Sequence, residues 1–325
     1  MAVMVKRALV IIALLAASAF ALPAAAQTYP TKPIRLLVGF PPGGGADIVA
    51  RILTPELAES LQQQIVIDNR AGAGSAIASE IAAKAVADGY TLLLVSSAHA
   101  INAGLPRKLS YDALNDFAGV ALVAGAPLVL VTNPALPVKS VTELIELARA
   151  KPGQLNFGSS GSGGTSHLAG ELLKWMAKVN LTHVPYKGAP QALVDVISGQ
   201  VQLLFPSLPT TLPQIKAGRV KAIAVTSARR AATLPEIPTV AESGVPAYEA
   251  TNWYGMLAPA GTAKSIVQKL NGAVLRALRT AEVNDAIVRQ GAEPLPSTPA
   301  DFERYLKSEI AKWTTVIRQA GVRAD

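Results

Sequence analysis

The sequence predicts an α/β protein of two lobes, each a sheet flanked by helices, with a cleft between them. Three observations carry this prediction. Apolar runs of strand length alternate with segments of helical period, the alternation pauses once and resumes, and the C-terminal part is mostly helical. Such βαβα order is typical of parallel strands covered by helices on both faces.

The elements of the first lobe begin soon after the N-terminus. Its strands are predicted at residues 34–40, 64–69 and 91–97, with helices at 46–61 and 75–86 between them. The same rhythm returns after a Pro- and Gly-marked passage near Ala124. We expect strands at 128–133, 155–160, 181–186, 201–205 and 220–227, and helices at 141–150, 167–178 and 190–198.

The C-terminal part has too few strands for a third domain. Helices are predicted at 263–278, 281–290 and 299–320, and we expect them to pack back onto the first lobe. The predicted organisation is therefore a signal peptide at 1–26, a first lobe at 27–123 plus 228–325, and a second lobe at 124–227. Two chain crossings then form a hinge, and a ligand cleft between the lobes is the expected result.

The N-terminus has the pattern of a cleavable export signal. Lys6 and Arg7 precede an apolar run at 8–22, and small residues precede Gln27. The run is shorter than a membrane span needs, and no later segment stays apolar long enough. We expect export to the periplasm and a mature chain that begins near Gln27; an uncleaved N-terminal anchor is the less favoured alternative.

Composition and charge exclude several classes of function. The formal net charge of +8 becomes +6 when Lys6 and Arg7 are removed, but the basic residues are scattered and aromatic residues are only 5% of the chain, so nucleic-acid binding is not expected. The chain has no Cys, which excludes disulfides and thiolate metal sites. Its three His lack metal-binding spacing, and neither a metal nor a cofactor is predicted.

Two glycine-rich turns each lead from a predicted strand into a helix. The first is FPPGGGAD, residues 40–47, and the second is FGSSGSGGTSH, residues 157–167, which also carries several hydroxyls. Unpaired N–H groups at a helix N-terminus suit an anion, and in parallel sheets such turns lie at the ligand-binding edge. The alternative is that they only serve tight packing. Asp47 fits a helix cap better than a ligand contact, and His167 fits either role equally well.

Catalytic patterns are weak in the same turns. Gly158 to Thr165 has the length of a phosphate-binding Walker A loop, but Gly164 stands where the Lys is needed. No G-x-S-x-G motif and no dinucleotide-binding glycine pattern is present. An exported serine-type hydrolase, with its residues assembled only in space, stays open as the alternative from another class.

Several motifs, in order and at constant spacing, resemble one family from about Tyr29 to the C-terminus. They are GFPPGGGAD, LPVKSVTELIELARAKPGQLNFGSSGSGGTSHLAGELL, HVPYKGAPQALVDVISGQV, AGRVKAIAVTSARR, LPEIPTVAESG and NWYGMLAPAGT. The chain is similar to the Bug family, the periplasmic receptors of tripartite tricarboxylate transporters. The resemblance implies a type II periplasmic-binding-protein fold, no catalysis, a small organic carboxylate as ligand, and membrane transporter subunits as partners. A sensor subunit would share the cleft, and a monomer is expected.

The resemblance also implies which residues meet the ligand. The second turn would hold a carboxylate through backbone N–H groups and hydroxyls, and the first turn would reach the other end of the ligand largely through water. Some family members that bind acidic amino acids have an Asp where this chain has Pro206, so an amino-acid ligand is not expected. The implied set is Phe40, Pro42, Gly43, Gly44, Ala46, Asp47, Ser97, Ser159, Ser160, Gly163, Gly164, Thr165, His167 and Pro206.

Overall fold

A computed structural model describes residues 29–322, and the predicted signal peptide lies outside these residues. The first lobe is built on a six-stranded sheet with the order β11-β4-β10-β3-β1-β2. Its strands are β1 Ile34–Val38, β2 Ile65–Asn69, β3 Thr91–Ser96, β4 Phe117–Pro127, β10 Thr251–Pro259 and β11 Glu293–Pro294. Strands β1, β2 and β3 are parallel, as predicted.

The second lobe is built on a five-stranded sheet with the order β7-β6-β8-β5-β9. Strand β6 pairs in parallel with β7 and β8, while β5 runs antiparallel to β8 and β9. The strands are β5 Val129–Thr132, β6 Asn156–Ser159, β7 Thr182–Pro185, β8 Leu203–Leu204 and β9 Lys221–Val225.

Neither sheet is purely parallel, because the chain passes between the lobes. Strand β4 leaves the first lobe and β10 enters it, so the two pair antiparallel, and β10 is also antiparallel to β3. Strand β4 was not predicted, although its residues form a continuous apolar run. Such a run does not by itself distinguish a buried strand from a helix segment.

Helices cover both faces of the first sheet. Leu36 and Val38 pack into one core cluster with helices α1 (Gly45–Leu61) and α8 (Lys264–Arg279). Leu37 packs into another cluster with helices α2 (Ala76–Ala83) and α3 (Ala98–Gly104). This alternation follows from the two-residue period of a strand. The helices of the chain are α1 Gly45–Leu61, α2 Ala76–Ala83, α3 Ala98–Gly104, α4 Val141–Ala150, α5 Thr165–Ala177, α6 Ala189–Ser198, α7 Leu208–Lys216, α8 Lys264–Arg279, α9 Ala281–Arg289 and α10 Pro299–Ala320. Among residues 29–322, no helix combines the length and apolar character that a membrane crossing requires.

Hydrogen bonds place the crossings later in the chain than the expected boundaries at 123 and 227. Strand β4 stays paired with β10 through Pro127, which lies opposite Thr251. On the return, the Ala250 N–H donates to Thr226 O, and the Val240 N–H donates to Val225 O, so the segment before β10 is bonded to the second lobe. The sequence analysis placed that segment in the first lobe, because it has no helical or strand period that would indicate its neighbours.

Candidate functional site

A cavity lies between the two lobes, where the first turns of several helices meet. Its volume is about 40 Å³, room for no more than a few water molecules while the two lobes are in contact. Six of the residues expected from the sequence line it: Phe40, Gly44, Ala46, Ser160, Thr165 and Pro206. The other residues of its lining are Gly45, Ser96, Leu128, Ser166, Ala189, Ser207, Thr210, Asn252 and Tyr254.

The cavity wall from the first lobe is the N-terminus of α1. Gly44 is its N-cap, and the N–H groups of Gly45 and Ala46 that follow have no partner within the helix. Gly45 is close to two side chains from elsewhere: a Cβ at this position would lie 2.1 Å from Tyr254 Oη and 2.4 Å from Ser207 Oγ. The absence of a side chain at Gly45 therefore lets both hydroxyls reach the start of α1.

Asp47 supports this turn from behind and does not line the cavity. Its Oδ2 accepts hydrogen bonds from the Gly43 N–H at 2.9 Å and from Arg51 Nε at 2.8 Å, and its Oδ1 accepts from Asn69 Nδ2 at 3.1 Å. Burial alone would raise the pKa of this carboxyl, but these donors outweigh burial and lower it. Asp47 is thus ionised and fully engaged, so the expectation that it contacts ligand is not supported by its geometry. Pro42 and Gly43 are exposed on the outer side of the turn.

The opposite wall is the N-terminus of α5 in the second lobe. Gly164 is its N-cap, and Thr165 and Ser166 in the first helical turn both line the cavity. The Ser166 hydroxyl is buried and has no hydrogen-bond partner among the described residues. Ser160, from the turn before the helix, lines the same wall. This wall therefore offers hydroxyls beside unpaired N–H groups, the combination that favours an anion.

Three buried side chains join the lobes at the edge of the cavity. Ser97 Oγ lies 2.5 Å from Thr165 Oγ1, and Ser97 Oγ also donates to Asn252 Oδ1 at 2.6 Å. Thr165 Oγ1 lies 3.2 Å from the same Asn252 oxygen. Ser97, expected as a ligand contact, instead bonds the second lobe directly; it is fully buried and does not line the cavity.

Close backbone contacts also join the lobes beside the second turn. A Cβ at Gly74 would lie 2.7 Å from Ser162 O, and a Cβ at Gly163 would lie 2.5 Å from Asn102 Oδ1. Gly163 has a φ of +81°, and its N–H donates to His167 Nδ1 at 3.2 Å. Gly163 thus faces the first lobe, not the cavity, and the lobes in this structure are in contact.

His167 and Ser159 lie behind the second turn, outside the cavity lining. The His167 ring stacks on His183 with centroids 3.9 Å apart, and His183 Nε2 lies 2.7 Å from Ser159 Oγ. A Ser–His pair of this kind could suggest a nucleophile, but Ser159 is fully buried and its Oγ accepts from the Gly161 N–H. A nucleophile must reach substrate, so this pair serves the turn and does not support a hydrolase.

The cavity has no charged side chain among the described residues that line it. Tyr254 is its one ionisable side chain, and burial raises the pKa of this phenol to about 12, an effect that the neighbouring Ser207 and Asn252 partly oppose. The phenol is therefore protonated at neutral pH. Pro206 lines the cavity and supplies no charge, as expected, while Leu128 and Ala189 give it apolar surface. The cavity offers neutral donors and helix N-termini, which suit an anionic ligand.

A family model, curated relatives and solved structures all indicate the same family for this chain. Residues 49–322 match the family described as "Tripartite tricarboxylate transporter family receptor". Protein BugT of Bordetella pertussis is 39% identical over 311 residues, which cover 95% of each chain. The R. palustris protein Rpa4515, solved with adipate, is 40% identical with a TM-score of 0.88, covering 91% of this chain and 99% of that one. MatC (Rpa3494) from Rhodopseudomonas palustris, solved with bound malate, is 33% identical with a TM-score of 0.86, covering 89% and 100%.

These similarities confirm the predicted family and the two-lobed α/β fold. The family consists of solute-binding receptors and not enzymes, which agrees with the expectation of no catalysis and leaves the hydrolase alternative without support. The chain belongs to the tripartite tricarboxylate transporter receptor family, whose Bug proteins its motifs resemble.

Proposed function

We propose that the chain is an extracytoplasmic receptor that captures a small organic carboxylate in the cavity between its lobes. One observation carries the proposal: α1 and α5 direct their N-termini to this cavity from opposite lobes, and none of residues 29–322 lines it with a charged side chain. Burying a carboxylate is unfavourable unless its oxygens are bonded, and fixed N–H and hydroxyl donors supply those bonds. The adipate and malate in the two solved relatives support the same class of ligand.

We further propose that the ligand has no free ammonium group. An ammonium in the closed cleft would need a carboxylate or several carbonyls, because an unpaired buried charge is strongly unfavourable. Pro206 lines the cavity and offers neither. Asp47, the nearest acidic residue on α1, is already bonded to Arg51, Asn69 and the Gly43 N–H. The helix N-termini repel cations as well.

The location, the partners and the oligomeric state are also proposals. Residues 1–26 carry the export pattern, so the receptor is expected in the periplasm. We also expect it to be a monomer. The family points to the membrane subunits of a tripartite transporter as its partners. Pull-down with those subunits, with and without ligand, would test the partnership.

A thermal-shift screen of the ligand-stripped protein tests the main proposal. Each mono-, di- or tricarboxylate is compared with its amide, which has a similar shape and no charge. A true ligand at about 100 times its Kd stabilises the fold by roughly 2.7 kcal/mol, a clear shift, while its amide gives little. If no carboxylate shifts the melting temperature, or if the amides act equally well, the proposal is wrong.

Calorimetric titration tests the absence of an ammonium. Succinate is compared with aspartate, and glutarate with glutamate, since each pair differs only by an amino group. We expect the acid without the amino group to bind more tightly in both pairs. Tighter binding of the amino acid in both would refute the idea, whereas a gain of amino-acid binding in Pro206→Asp would support it.

A further inference from the structure

Two buried hydroxyls face the cavity without a hydrogen-bond partner among the described residues. They are Ser166 Oγ, on the second-lobe wall, and Tyr254 Oη, on a central strand of the first lobe. Their side chains are only 3% and 1% exposed. Leaving a buried polar group unpaired is unfavourable, by about 1 to 3 kcal/mol. Other unpaired side-chain atoms occur among residues 29–322, but these two are the ones that border this cavity.

The position of Tyr254 is fixed by the sheet. In β10 it lies opposite Ser96 of β3 on one side and Ala124 of β4 on the other. Its hydroxyl oxygen rests against Gly45, at 2.1 Å from where a Cβ would be. The hydroxyl therefore lies beside the first N–H groups of α1. Because Tyr254 and Gly45 are far apart in the sequence, no local motif indicates that they are neighbours.

Ser207 and Asn252, the polar side chains that act on the Tyr254 phenol, each bond a different residue, and neither accepts the Tyr254 proton. Ser207 Oγ lies 3.0 Å from Thr210 Oγ1, and Asn252 Oδ1 accepts from Ser97. The proton of the Tyr254 hydroxyl is thus available to a group inside the cavity. Because the phenol stays protonated at neutral pH, as its raised pKa requires, it acts there as a hydrogen-bond donor.

We infer that Tyr254 is a specificity-determining residue that donates a hydrogen bond to a second carboxylate of the ligand. This inference rests on the proposed function. The α5 wall, with Ser160 and Ser166, holds one carboxylate, and the Tyr254 hydroxyl together with the start of α1 holds the other. The site accordingly selects dicarboxylates over monocarboxylates of the same chain length, because an apolar end would leave the buried hydroxyl unpaired.

The test is calorimetric titration of the stripped full-length mature protein and its Tyr254→Phe variant. The probes are succinate against butyrate, glutarate against valerate, and adipate against hexanoate. We expect the wild type to prefer the dicarboxylate at its best chain length. Tyr254→Phe should raise the Kd of that dicarboxylate by roughly 10-fold or more and should change the Kd of the monocarboxylate by less than about twofold.

Tyr248→Phe is the matched control. Tyr248 is equally buried, but its hydroxyl donates to Ala169 O at 2.7 Å and does not line the cavity. This variant should lose thermal stability and keep the ligand preference of the wild type. Tyr254→Phe, in contrast, should keep or gain thermal stability without ligand, because it removes a hydroxyl that has no partner in the protein.

Each outcome bears on the inference separately from the proposed function. Equal weakening of both members of a pair by Tyr254→Phe would show that the hydroxyl does not distinguish them and would overturn the inference alone. Clear loss of stability of ligand-free Tyr254→Phe would also overturn it, since the hydroxyl would then be engaged within the protein. A wild type that binds only monocarboxylates overturns it too. A wild type that binds no carboxylate overturns the proposed function as well.

Discussion

Gly163→Ala should weaken ligand binding by obstructing closure of the lobes. A Cβ at Gly163 would lie 2.5 Å from Asn102 Oδ1 and 2.6 Å from Leu105 Cδ1, both in the first lobe. Asn102 cannot turn away freely, because its Nδ2 donates to Gly74 O at 2.7 Å and its Oδ1 accepts from Arg107. The steric overlap therefore raises the free energy mainly of the state in which the lobes are in contact.

The expected magnitude has two parts. A residue other than Gly at φ +81° destabilises the fold by about 1 to 2 kcal/mol whether or not ligand is present. Overpacking between the lobes adds about 1 to 3 kcal/mol on closure. Since every 1.4 kcal/mol is tenfold in Kd, the second part alone weakens binding by roughly 5- to 150-fold.

Gly153→Ala separates these two parts. Gly153 lies in the same lobe with a φ of +72°, but the nearest atom to its Cβ position is Asn180 Nδ2 at 3.4 Å, far from the first lobe. Both variants should lose similar thermal stability without ligand, and only Gly163→Ala should lose affinity in calorimetry. Wild-type affinity in a folded Gly163→Ala, or an equal loss in Gly153→Ala, would refute this account of closure.

Three further predictions concern other parts of the chain. Intact mass of the protein recovered from the periplasm should correspond to a start at or near Gln27, and a full-length mass in the membrane fraction would contradict this. Ser160→Ala should weaken binding by only about 1 to 2 kcal/mol, as calorimetry can show, because backbone donors remain. Burial lowers the pKa of His99 to about 4, although the hydrogen bond of its ring to the Ala113 carbonyl opposes this shift. Between pH 4 and 6.5 the unfolded chain therefore binds more protons than the folded protein does. The contribution of His99 to the free energy of unfolding is then full above pH 6.5 and falls by about 3 kcal/mol toward pH 4. Denaturant titrations between these pH values should show a weaker pH dependence of stability for His99→Gln. The control Tyr111→Phe, whose ring packs on the same imidazole, should keep the pH dependence of the wild type.

The sequence located the walls of the site because each wall is a local feature. A strand, a glycine-rich turn and a helix follow one another in about fifteen residues, and their order alone places the helix N-terminus at the ligand-binding edge. Phe40, Gly44 and Thr165 were found in this way, and all three line the cavity. The two-lobed fold followed from the same alternation of strands and helices.

The residues that sequence reasoning missed depend on long-range pairing. Asn252 and Tyr254 reach the cavity because β10 returns between β3 and β4, and the register that sets them opposite Ala126, Ser96 and Ala124 is not written in local periodicity. The quoted motif around Trp253 was the available signal, since it placed two polar side chains in an otherwise buried strand. Its place in the family resemblance did not indicate that both of them face the cavity.

The residues that were expected to touch ligand but do not line the cavity include those that build the turns. Asp47 fixes the first turn through its three hydrogen bonds, and Ser159 and His167 lie behind the second. Polar residues next to a glycine-rich turn can serve either the turn or the ligand, and composition does not separate these roles. These two roles are distinguished only by the direction of each side chain in the folded lobe.

Gly163 and Gly45 show how the arrangement couples capture to closure. Gly45 leaves room at the start of α1 for Tyr254 Oη and Ser207 Oγ, so the first lobe can present hydroxyls and backbone donors together. Gly163 leaves room for Asn102 and Leu105, so the turn that precedes α5 can meet the first lobe. Because the donors are neutral and come from both lobes, an anion between them is fully bonded only when the lobes are together, and its binding energy favours the closed state. A buried Arg on one lobe would hold the anion strongly in the open state too, and would weaken that coupling.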